Sequence, residues 1–245
     1  LLHRRSANLN TGWHAHSKAQ LLYAEDGITR LYTPKGSYLL PARHCAWIPA
    51  HMVHMVTSSS PCLFLRTLYF KIAPEQAHPF YTQCSVFQVN NLLREMILYT
   101  ERWAHATSST LEETSFLTTL KLILPDLQGA SLSLQLPTSE HPKIKECLQI
   151  IMEGMSEKIS VEATAQKLNL STRTLSRLFQ QELKMSFTGF LKVARIIKAL
   201  EWLSLLGATV AETAFKVGYD SVPTFSNNFY EIVGSRPQTF IQKQQ

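Results

Sequence analysis

A self-match within the carboxy-terminal part of the sequence limits the fold more than any other feature. The segment Ala165–Ser171 (AQKLNLS) aligns with Ala214–Asp220 (AFKVGYD) at an offset of 49 residues. After one inserted residue the offset becomes 50, and three aromatic or leucine positions then align: Leu175 with Phe225, Phe179 with Phe229, and Phe190 with Phe240. The carboxy-terminal part is therefore predicted to contain the same helical unit twice.

Each copy has the residue pattern of two helices joined by a tight turn. Short helices are predicted over 161–168 and 210–217, and each presents a small alanine to a crossing partner. The helix that follows in each copy has large apolar residues at i, i+4 spacing, which places them on one buried face. Helix, tight turn and helix is a unit whose second helix can enter the major groove of DNA.

The turn residues support the same interpretation. Asn169 and Gly218 stand where the first helix of each copy must end in a left-handed conformation, which glycine adopts freely and asparagine with little strain. Ser171 in the first copy, and Asp220 or Ser221 in the second, are predicted to cap the next helix.

A long helix over about 188–206 joins the two copies. Its apolar positions follow helical spacing: Phe190, Val193, Ala194, Ile197, Leu200 and Leu203. It would hold the two units at a fixed separation, and units that read successive major grooves need centres about 34 Å apart. A helical bundle with a duplicated hairpin and no DNA-binding role is the alternative.

These residues together resemble the AraC/XylS family of transcription regulators over roughly residues 140–242. The resemblance is carried by Ala165, Asn169-Leu170-Ser171, Leu175 to Phe179, Ala214, Val217-Gly218-Tyr219, Phe225-Ser226, Phe229, and Gly234-Ser-Arg-Pro237-Gln-Thr-Phe240. It implies binding to double-stranded promoter DNA, usually as a homodimer and often in contact with RNA polymerase.

On the first recognition helix, Leu175, Leu178 and Phe179 are expected to face inward. The residues that remain on the outer side are candidates for contacts with DNA: Thr172, Arg173, Ser176, Arg177 and Gln180. An arginine can hold guanine O6 and N7 with two hydrogen bonds. A solvated basic face is the alternative interpretation of Arg173 and Arg177.

The second recognition helix departs from the family pattern, because Asn227 stands where members often have arginine. Its candidate contacts are Val222, Thr224 and Asn227. Asn227 could read adenine, but we expect this half to contribute more positioning than base readout.

Residues 1–89 are predicted to form an antiparallel β domain. Short apolar runs such as Leu21-Leu22-Tyr23 and Leu63–Phe70 are separated by turn residues, namely Gly27, Pro34, Gly36, Pro41, Pro49, Pro61, Pro74 and Pro79. The whole chain is therefore expected to be α+β, with a β domain over 1–89, a helical connecting segment and linker over 90–138, and an all-α domain over 139–245.

Five of the nine histidines lie between positions 14 and 54. The patterns Gly12-Trp-His14-Ala-His16-x-x-x-Gln20 and Pro49-x-His51-x-x-His54 resemble the two motifs of the cupin barrel, with His51 where that family usually has glycine. The resemblance implies a metal site of His14, His16, Gln20 and His54, in which Gln20 replaces the usual glutamate. Imidazole ligands suit zinc, iron, copper or nickel.

Two alternatives exist for the same histidines: they could line a metal-free pocket for an organic effector, or pack as hydrogen-bonded residues of the barrel. The predicted lining of an effector pocket is Trp13, Tyr23, Trp47 and Met52. A small molecule or metal bound there would control the DNA-binding part, and a cupin-type oxygenase or isomerase is the rival from another functional class.

Helical spacing returns over residues 91–124, where Leu117, Leu120 and Leu124 form a leucine seam. The seam could pack within the monomer or across a dimer. Pro125 is expected to end its helix, and residues 129–142 are interpreted as a linker.

Several classes of protein are excluded by what the sequence lacks. It has no apolar stretch of about 18 residues for a membrane span, no G-x-G, no G-x-S-x-G and no C-x-x-C. Its net charge of +6 permits an anionic partner without identifying one. The absence of a C-x-x-C pair favours four buried, reduced cysteines, as in a cytosolic protein. The family resemblance implies a cytoplasmic regulator that is not an enzyme.

Overall fold

The computed structural model describes residues 2–6, 8–60, 63–73, 78–104, 109–128, 134–157, 159–204 and 207–242. The chain divides into two compact units, residues 1–33 with 38–132 and residues 34–37 with 133–245. The first unit is rich in strands and the second is mainly helical, so the predicted α+β class is confirmed.

The strands before residue 90 include both of the apolar runs quoted above, Leu21-Leu22-Tyr23 and Leu63–Phe70. Their bounds are β1 (Leu2–Ser6), β2 (Leu9–Asn10), β3 (Ala19–Asp26), β4 (Thr29–Thr33), β5 (Gly36–Leu40), β6 (His44–Ile48), β7 (Met55–Ser58), β8 (Leu63–Phe70) and β9 (Ser85–Gln88). The first sheet has the order β1-β8-β3-β6-β9, and the second runs β5-β4-β7-β2. The pairings β1–β8, β3–β8, β3–β6, β6–β9, β4–β7 and β2–β7 are all antiparallel.

Strand β3 shows how the first sheet separates two apolar cores. Successive side chains of a strand point to opposite faces. Leu22 and Ala24 pack with residues of the second sheet, such as Leu31 and Val56, in the interior between the sheets. The residues that alternate with them, among them Leu21, face the other side and belong to a core shared with helices.

Among its described residues, the first unit also contains three α-helices and a 3-10 helix: α1 (Pro79–Thr82), α2 (Asn91–Tyr99), the 3-10 helix Thr100–Trp103, and α3 (Leu111–Leu127). Leu120 and Leu124 are fully buried in the core on the outer face of the first sheet, and Leu117 is partly buried against it. The leucine seam thus packs within the monomer, and the helices of the 90–138 segment belong to the same compact unit as the strands.

The prediction that Pro125 ends its helix is wrong, because α3 continues through Pro125 to Leu127. Proline has no N–H to donate to the carbonyl four residues earlier. That carbonyl, of Lys121, instead accepts a hydrogen bond from the Tyr81 hydroxyl (2.8 Å). A donor from outside the helix therefore satisfies the group that proline leaves unpaired.

The predicted linker over 129–142 also contains regular structure. Residues 129–133 lie outside the described part of the chain, but residues Gln135–Pro137 form a strand, β10. Leu134 and Leu136 are buried, and the Thr138 N–H donates to the Lys35 carbonyl (3.4 Å) within the second unit. The burial of these two leucines explains why a segment with the composition of a linker forms a strand.

The second unit contains seven helices among the residues described: α4 (Pro142–Glu153), α5 (Val161–Lys167), α6 (Thr172–Leu183), α7 (Phe187–Leu203), α8 (Val210–Lys216), α9 (Val222–Val233) and α10 (Pro237–Gln242). The predicted apolar face of α7 is buried along its whole length. Helix α7 contacts α6, α8 and α9, so it joins the two helix pairs as the spacing predicted.

Candidate functional site

The two helix pairs have the turn geometry that the repeat predicts. Asn169 (φ 55°) and Gly218 (φ 84°) both adopt the left-handed conformation. Ser171 Oγ accepts from the Thr174 N–H (3.1 Å) at the start of α6. Ser221, rather than Asp220, performs the same role at the start of α9. Each second helix therefore begins at a defined residue directly after its turn.

Burial separates an inner and an outer face on α6. Leu175 and Phe179 are fully buried, and the candidate DNA-contacting residues lie on the outside: Arg173, Ser176, Arg177 and Gln180 are exposed and Thr172 is half-buried. In the part of the chain that the structure describes, neither the Arg173 nor the Arg177 guanidinium has a hydrogen-bond or ion-pair partner. Both guanidinium groups can therefore donate hydrogen bonds to an external anion or to the edge of a base.

Helix α9 repeats this arrangement with fewer charges. Phe225 and Phe229 are fully buried, Thr224 and Asn227 are exposed, and Val222 is half-buried at the first position of the helix. Helix α9 contains no lysine or arginine. The outer face of α9 itself therefore offers hydroxyl and amide groups to DNA, and no cation.

Arg236, in the turn after α9, supplies the missing positive charge and was not among the predicted contacts. Its Nη1 donates to Asn227 Oδ1 (2.8 Å), and its guanidinium lies 4.9 Å from the ring centroid of Tyr230. Both Arg236 and Tyr230 are exposed. The sequence motif Gly234-Ser-Arg-Pro237 contains this arginine and could have pointed to it. Only the fold shows that its guanidinium lies beside the outer face of α9.

The second candidate site is a cluster of three histidines in the first unit. His14 and His54 form an isolated antiparallel bridge, in which each N–H donates to the other's carbonyl (2.9 and 2.8 Å). The His16 carbonyl accepts from the N–H of His51 (2.8 Å). One ring nitrogen from each of His14, His16 and His54 lies within 4.8 Å of the others. The structure thus brings together the three histidines that the motifs singled out.

His51, which stands where the resembled motif usually has glycine, has a φ of 64°. Its backbone therefore adopts the left-handed conformation that glycine favours. Its side chain is exposed and outside the cluster.

The Nδ1 atoms of the cluster all contact backbone carbonyls. His14 Nδ1 lies 3.0 Å from Gly12 O, His16 Nδ1 2.5 Å from Lys18 O, and His54 Nδ1 2.8 Å from Met52 O. A carbonyl oxygen only accepts, so a neutral His14 or His54 ring carries its proton on Nδ1 and leaves Nε2 with a lone pair. Burial lowers the pKa of His54, and the neighbouring His14 and His16 lower it further.

Gln20 adjoins the cluster as predicted, since its amide Oε1 lies 3.0 Å from His16 Nε2. Its side chain is buried at the start of β3. The ring of Tyr69 also lies against His16, with centroids 5.1 Å apart. The cluster is therefore bounded by an amide and an aromatic ring, with no carboxylate among its members.

The predicted pocket residues Tyr23 and Trp47 do not lie beside the histidines. Both are almost completely buried in the core between the first sheet and the helices. Strand alternation explains this, because Gln20 and Leu22 of β3 point to the opposite face from Tyr23. Tyr23 and Trp47 therefore lie on the opposite face of the first sheet from Gln20 and the histidines.

The other two predicted pocket residues lie next to the cluster. Met52 is partly buried against the interior core, and its carbonyl holds His54 Nδ1. Trp13 is the neighbour of His14 in sequence, and its side chain is 55% exposed. Trp13 is therefore at the surface rather than enclosed.

No described helix has the length and hydropathy needed to cross a membrane.

Comparisons with known proteins match both units of the chain. The family model described as "AraC-like ligand binding domain" matches residues 1–175, and that described as "Helix-turn-helix domain" matches residues 164–243. The chain is 27% identical over 245 residues to the HTH-type transcriptional regulator NimR of Escherichia coli K12, covering 99% of this chain and 86% of NimR.

Two further relatives match parts of the chain. The arabinose operon regulatory protein of E. coli K12 is 26% identical over 181 residues, covering 74% of this chain and 57% of that protein. The solved C-terminal domain of AraT, a response regulator from Geobacillus stearothermophilus, is 33% identical and covers 41% of this chain and 84% of its own, with a TM-score of 0.40. The family match over residues 1–175, with the helix-turn-helix match that follows it, shows that this chain belongs to the AraC family of transcription regulators, with an amino-terminal ligand-binding domain and a carboxy-terminal helix-turn-helix domain.

Proposed function

We propose that this chain binds specific promoter sequences through both helix-turn-helix pairs, and that a small molecule held near the histidine cluster controls this binding. The observation that carries the proposal is the pair of unpartnered guanidinium groups, Arg173 and Arg177, on the outer face of α6. They are four residues apart and therefore share one face of the helix. A helix with this face in the major groove would present two guanine-reading groups.

The second pair contributes differently in this proposal. The Arg236 guanidinium beside Asn227 can neutralise a DNA phosphate, while Thr224 and Asn227 contact phosphate or base edges. Arg173 and Arg177 would then supply most of the base discrimination, and the second pair would fix the register of the protein on the duplex.

Effector control requires a ligand whose affinity differs between two states of the protein. The ligand-binding domain that the family model matches is the natural place for it. We propose that the effector contacts Met52 and the histidine cluster, because these groups combine an apolar side chain with imidazole nitrogens that lie close together.

We further propose that the regulator acts in the cytoplasm as a homodimer, contacts RNA polymerase at the promoter, and catalyses no reaction. Family membership supports these points. Leu92 and Leu122, which are more than half exposed on α2 and α3, offer apolar surface to a second copy. Light scattering at micromolar concentration would give the mass of the particle. The matched families give no support to the alternative of a cupin-type oxygenase or isomerase.

The test of DNA binding is selection of preferred sites from a pool of random duplexes. Wild-type protein is expected to enrich one motif. Arg177→Ala is expected to lose about 1–3 kcal/mol of discrimination at one base pair and to retain most of its non-specific, salt-dependent affinity. Lys143→Ala, which removes an exposed cation of α4 paired with Glu146, is the control and should select the wild-type motif. An unchanged motif with Arg177→Ala would refute the assignment of this residue.

A further inference from the structure

We propose that Arg195, on the helix that joins the two helix-turn-helix pairs, is a positioning residue that fixes the orientation of one pair relative to the other. This role rests on the proposed function, in which both pairs of one chain bind the same duplex. Arg195 itself touches no DNA in the proposal. It acts by tying the segment that leads into the first pair to the turn of the second pair.

Arg195 contacts two segments that are far apart in the sequence. From α7, its Nη2 donates a hydrogen bond to the main-chain oxygen of Glu157 (3.0 Å), which lies between α4 and α5. Its guanidinium also lies 5.6 Å from the ring centroid of Tyr219, in the turn between α8 and α9. A cation at this distance from an aromatic ring is attracted to it. One side chain therefore holds both the entrance to the first pair and the turn of the second.

The glycine of the second turn shows how closely these segments approach. Asn169 and Gly218 occupy equivalent places in the repeat, and both adopt the left-handed conformation. Asparagine tolerates that conformation, so the backbone angle alone does not require glycine. A Cβ at Gly218 would lie 2.6 Å from Arg195 Nη2 and would collide with the main-chain oxygen of Met155. The second turn therefore has glycine because the guanidinium and the segment after α4 occupy the space of a side chain.

Asp220 adds an electrostatic attraction to the same contact. It was one of the two predicted caps of α9, but Ser221 has that role, and the Asp220 carboxylate interacts with the Arg195 guanidinium. Arg195 is half-buried, so the attraction is screened less than that between two fully exposed groups. The planar guanidinium has several donors in a fixed geometry. It can therefore engage a carbonyl, an aromatic ring and a carboxylate together.

A fixed orientation matters because both pairs act on one duplex. Two recognition elements held rigidly bind a site of matching spacing tightly and a site of wrong spacing poorly, whereas a loose joint reduces this difference. Each added base pair moves the second DNA element by about 3.4 Å along the duplex and by about 35° around it. Loss of Arg195 should therefore relax the required spacing, while each pair keeps its own sequence preference.

The first test uses the full chain without DNA. Spin labels on Gln181→Cys of α6 and Ala211→Cys of α8, both exposed positions, report the distance between the two pairs by double electron–electron resonance, in a Cys62→Ser background. Arg195→Ala should broaden the distribution of distances. Lys198→Ala is the matched control, because it removes an exposed cation of the same helix, and it should keep the narrow distribution. Equal widths for the two variants would overturn the proposal.

The second test measures affinity for three duplexes: the selected two-part site, the same site with two base pairs inserted between its elements, and the first element alone. The insertion should weaken binding of the wild type and of Lys198→Ala by at least about tenfold, but that of Arg195→Ala by less than about threefold. Arg195→Ala should bind the first element alone as the wild type does. Arg195→Lys keeps the charge without the planar fork, so its loss should lie between those of the wild type and the alanine variant.

The outcomes separate this role from a merely structural one. Equal weakening of Arg195→Ala on all three duplexes would overturn the proposal, because it would show that Arg195 supports the fold and not the spacing. A full insertion penalty in Arg195→Ala would overturn it as well. If the wild type selects no two-part site, the proposed function fails, and the distance measurement on the free protein decides whether Arg195 fixes the orientation of the pairs.

Discussion

Arg236 donates a hydrogen bond of 2.8 Å to the side-chain oxygen of Asn227, nine residues earlier in the chain. The contact carries a guanidinium from the turn after α9 to the outer face of a helix that has no cation of its own. The exposed ring of Tyr230 lies under the same guanidinium. Arg236 thus places a cation beside position 227, where the resembled pattern often has arginine.

Arg236→Ala is expected to weaken binding to all DNA sequences to a similar degree and to reduce the slope of log affinity against log salt by about 1, because one phosphate contact is lost. Arg236→Lys should keep most of the slope, since the charge is retained without the planar fork. The measurement is fluorescence anisotropy over a series of salt concentrations. An alanine variant with the wild-type salt slope would contradict this role.

Gly218 should tolerate substitution less well than another glycine of similar backbone conformation. A Cβ at Gly218 (φ 84°) would collide with the main-chain oxygen of Met155 and lie 2.6 Å from Arg195 Nη2, whereas a Cβ at Gly207 (φ 80°) would meet nothing within 4 Å. Both alanine variants carry backbone strain of about 1–3 kcal/mol. Gly218→Ala should lose about 1–3 kcal/mol more, from overpacking. Urea unfolding measures the difference, and equal losses would show that the contact is unimportant.

The Tyr81 hydroxyl is expected to stabilise α3 through the Lys121 carbonyl. Tyr81→Phe should lower the free energy of unfolding by about 1–2 kcal/mol, because the carbonyl loses its donor and Pro125 has none to offer. In a Pro125→Ala background, residue 125 regains an N–H, and the same tyrosine substitution should then be much less harmful. A double-mutant cycle measured by thermal unfolding gives this coupling. A Tyr81→Phe effect that is the same in both backgrounds would argue against it.

Three cysteines, the buried Cys45 and Cys147 and the half-buried Cys84, are expected to be unreactive in the folded protein. Burial raises the pKa of Cys84 to about 12 and that of Cys147 to about 12, and it raises that of the fully buried Cys45 well above its usual value. A thiol of pKa 12 is about one part in 10⁴ thiolate at pH 8, and the thiolate is the reactive form. Peptide mapping after iodoacetamide at pH 8 should find these three cysteines unmodified until urea is added. Rapid native labelling of Cys147 would contradict the packing around α4. Cys62 lies outside the described residues.

The parts of the fold that local chemistry specifies were predictable from the sequence. Left-handed turns at Asn169 and Gly218, the serine caps, and the buried Leu175 and Phe229 are set by residues close together in the chain. The histidine cluster was also predictable, because two short motifs contain its members.

The remaining features depend on contacts between distant residues. The choice of sheet face for Trp47 and Tyr23 depends on which helices cover that face. Pro125 stays within a helix because a tyrosine about forty residues away supplies the missing donor. The sequence also did not reveal that Arg236 reaches Asn227, since a turn and the last residues of α9 lie between them.

If both helix-turn-helix pairs of one chain bind the promoter as proposed, they should read successive major grooves, and the spacing of the DNA contacts tests this. A site obtained by selection should contain two contacted elements whose centres lie about 10 base pairs apart. Insertion of about five base pairs between them turns the second element to the opposite side of the duplex. This insertion is expected to lower affinity by at least about tenfold, toward that of the first element alone. Unchanged affinity after the insertion would contradict it.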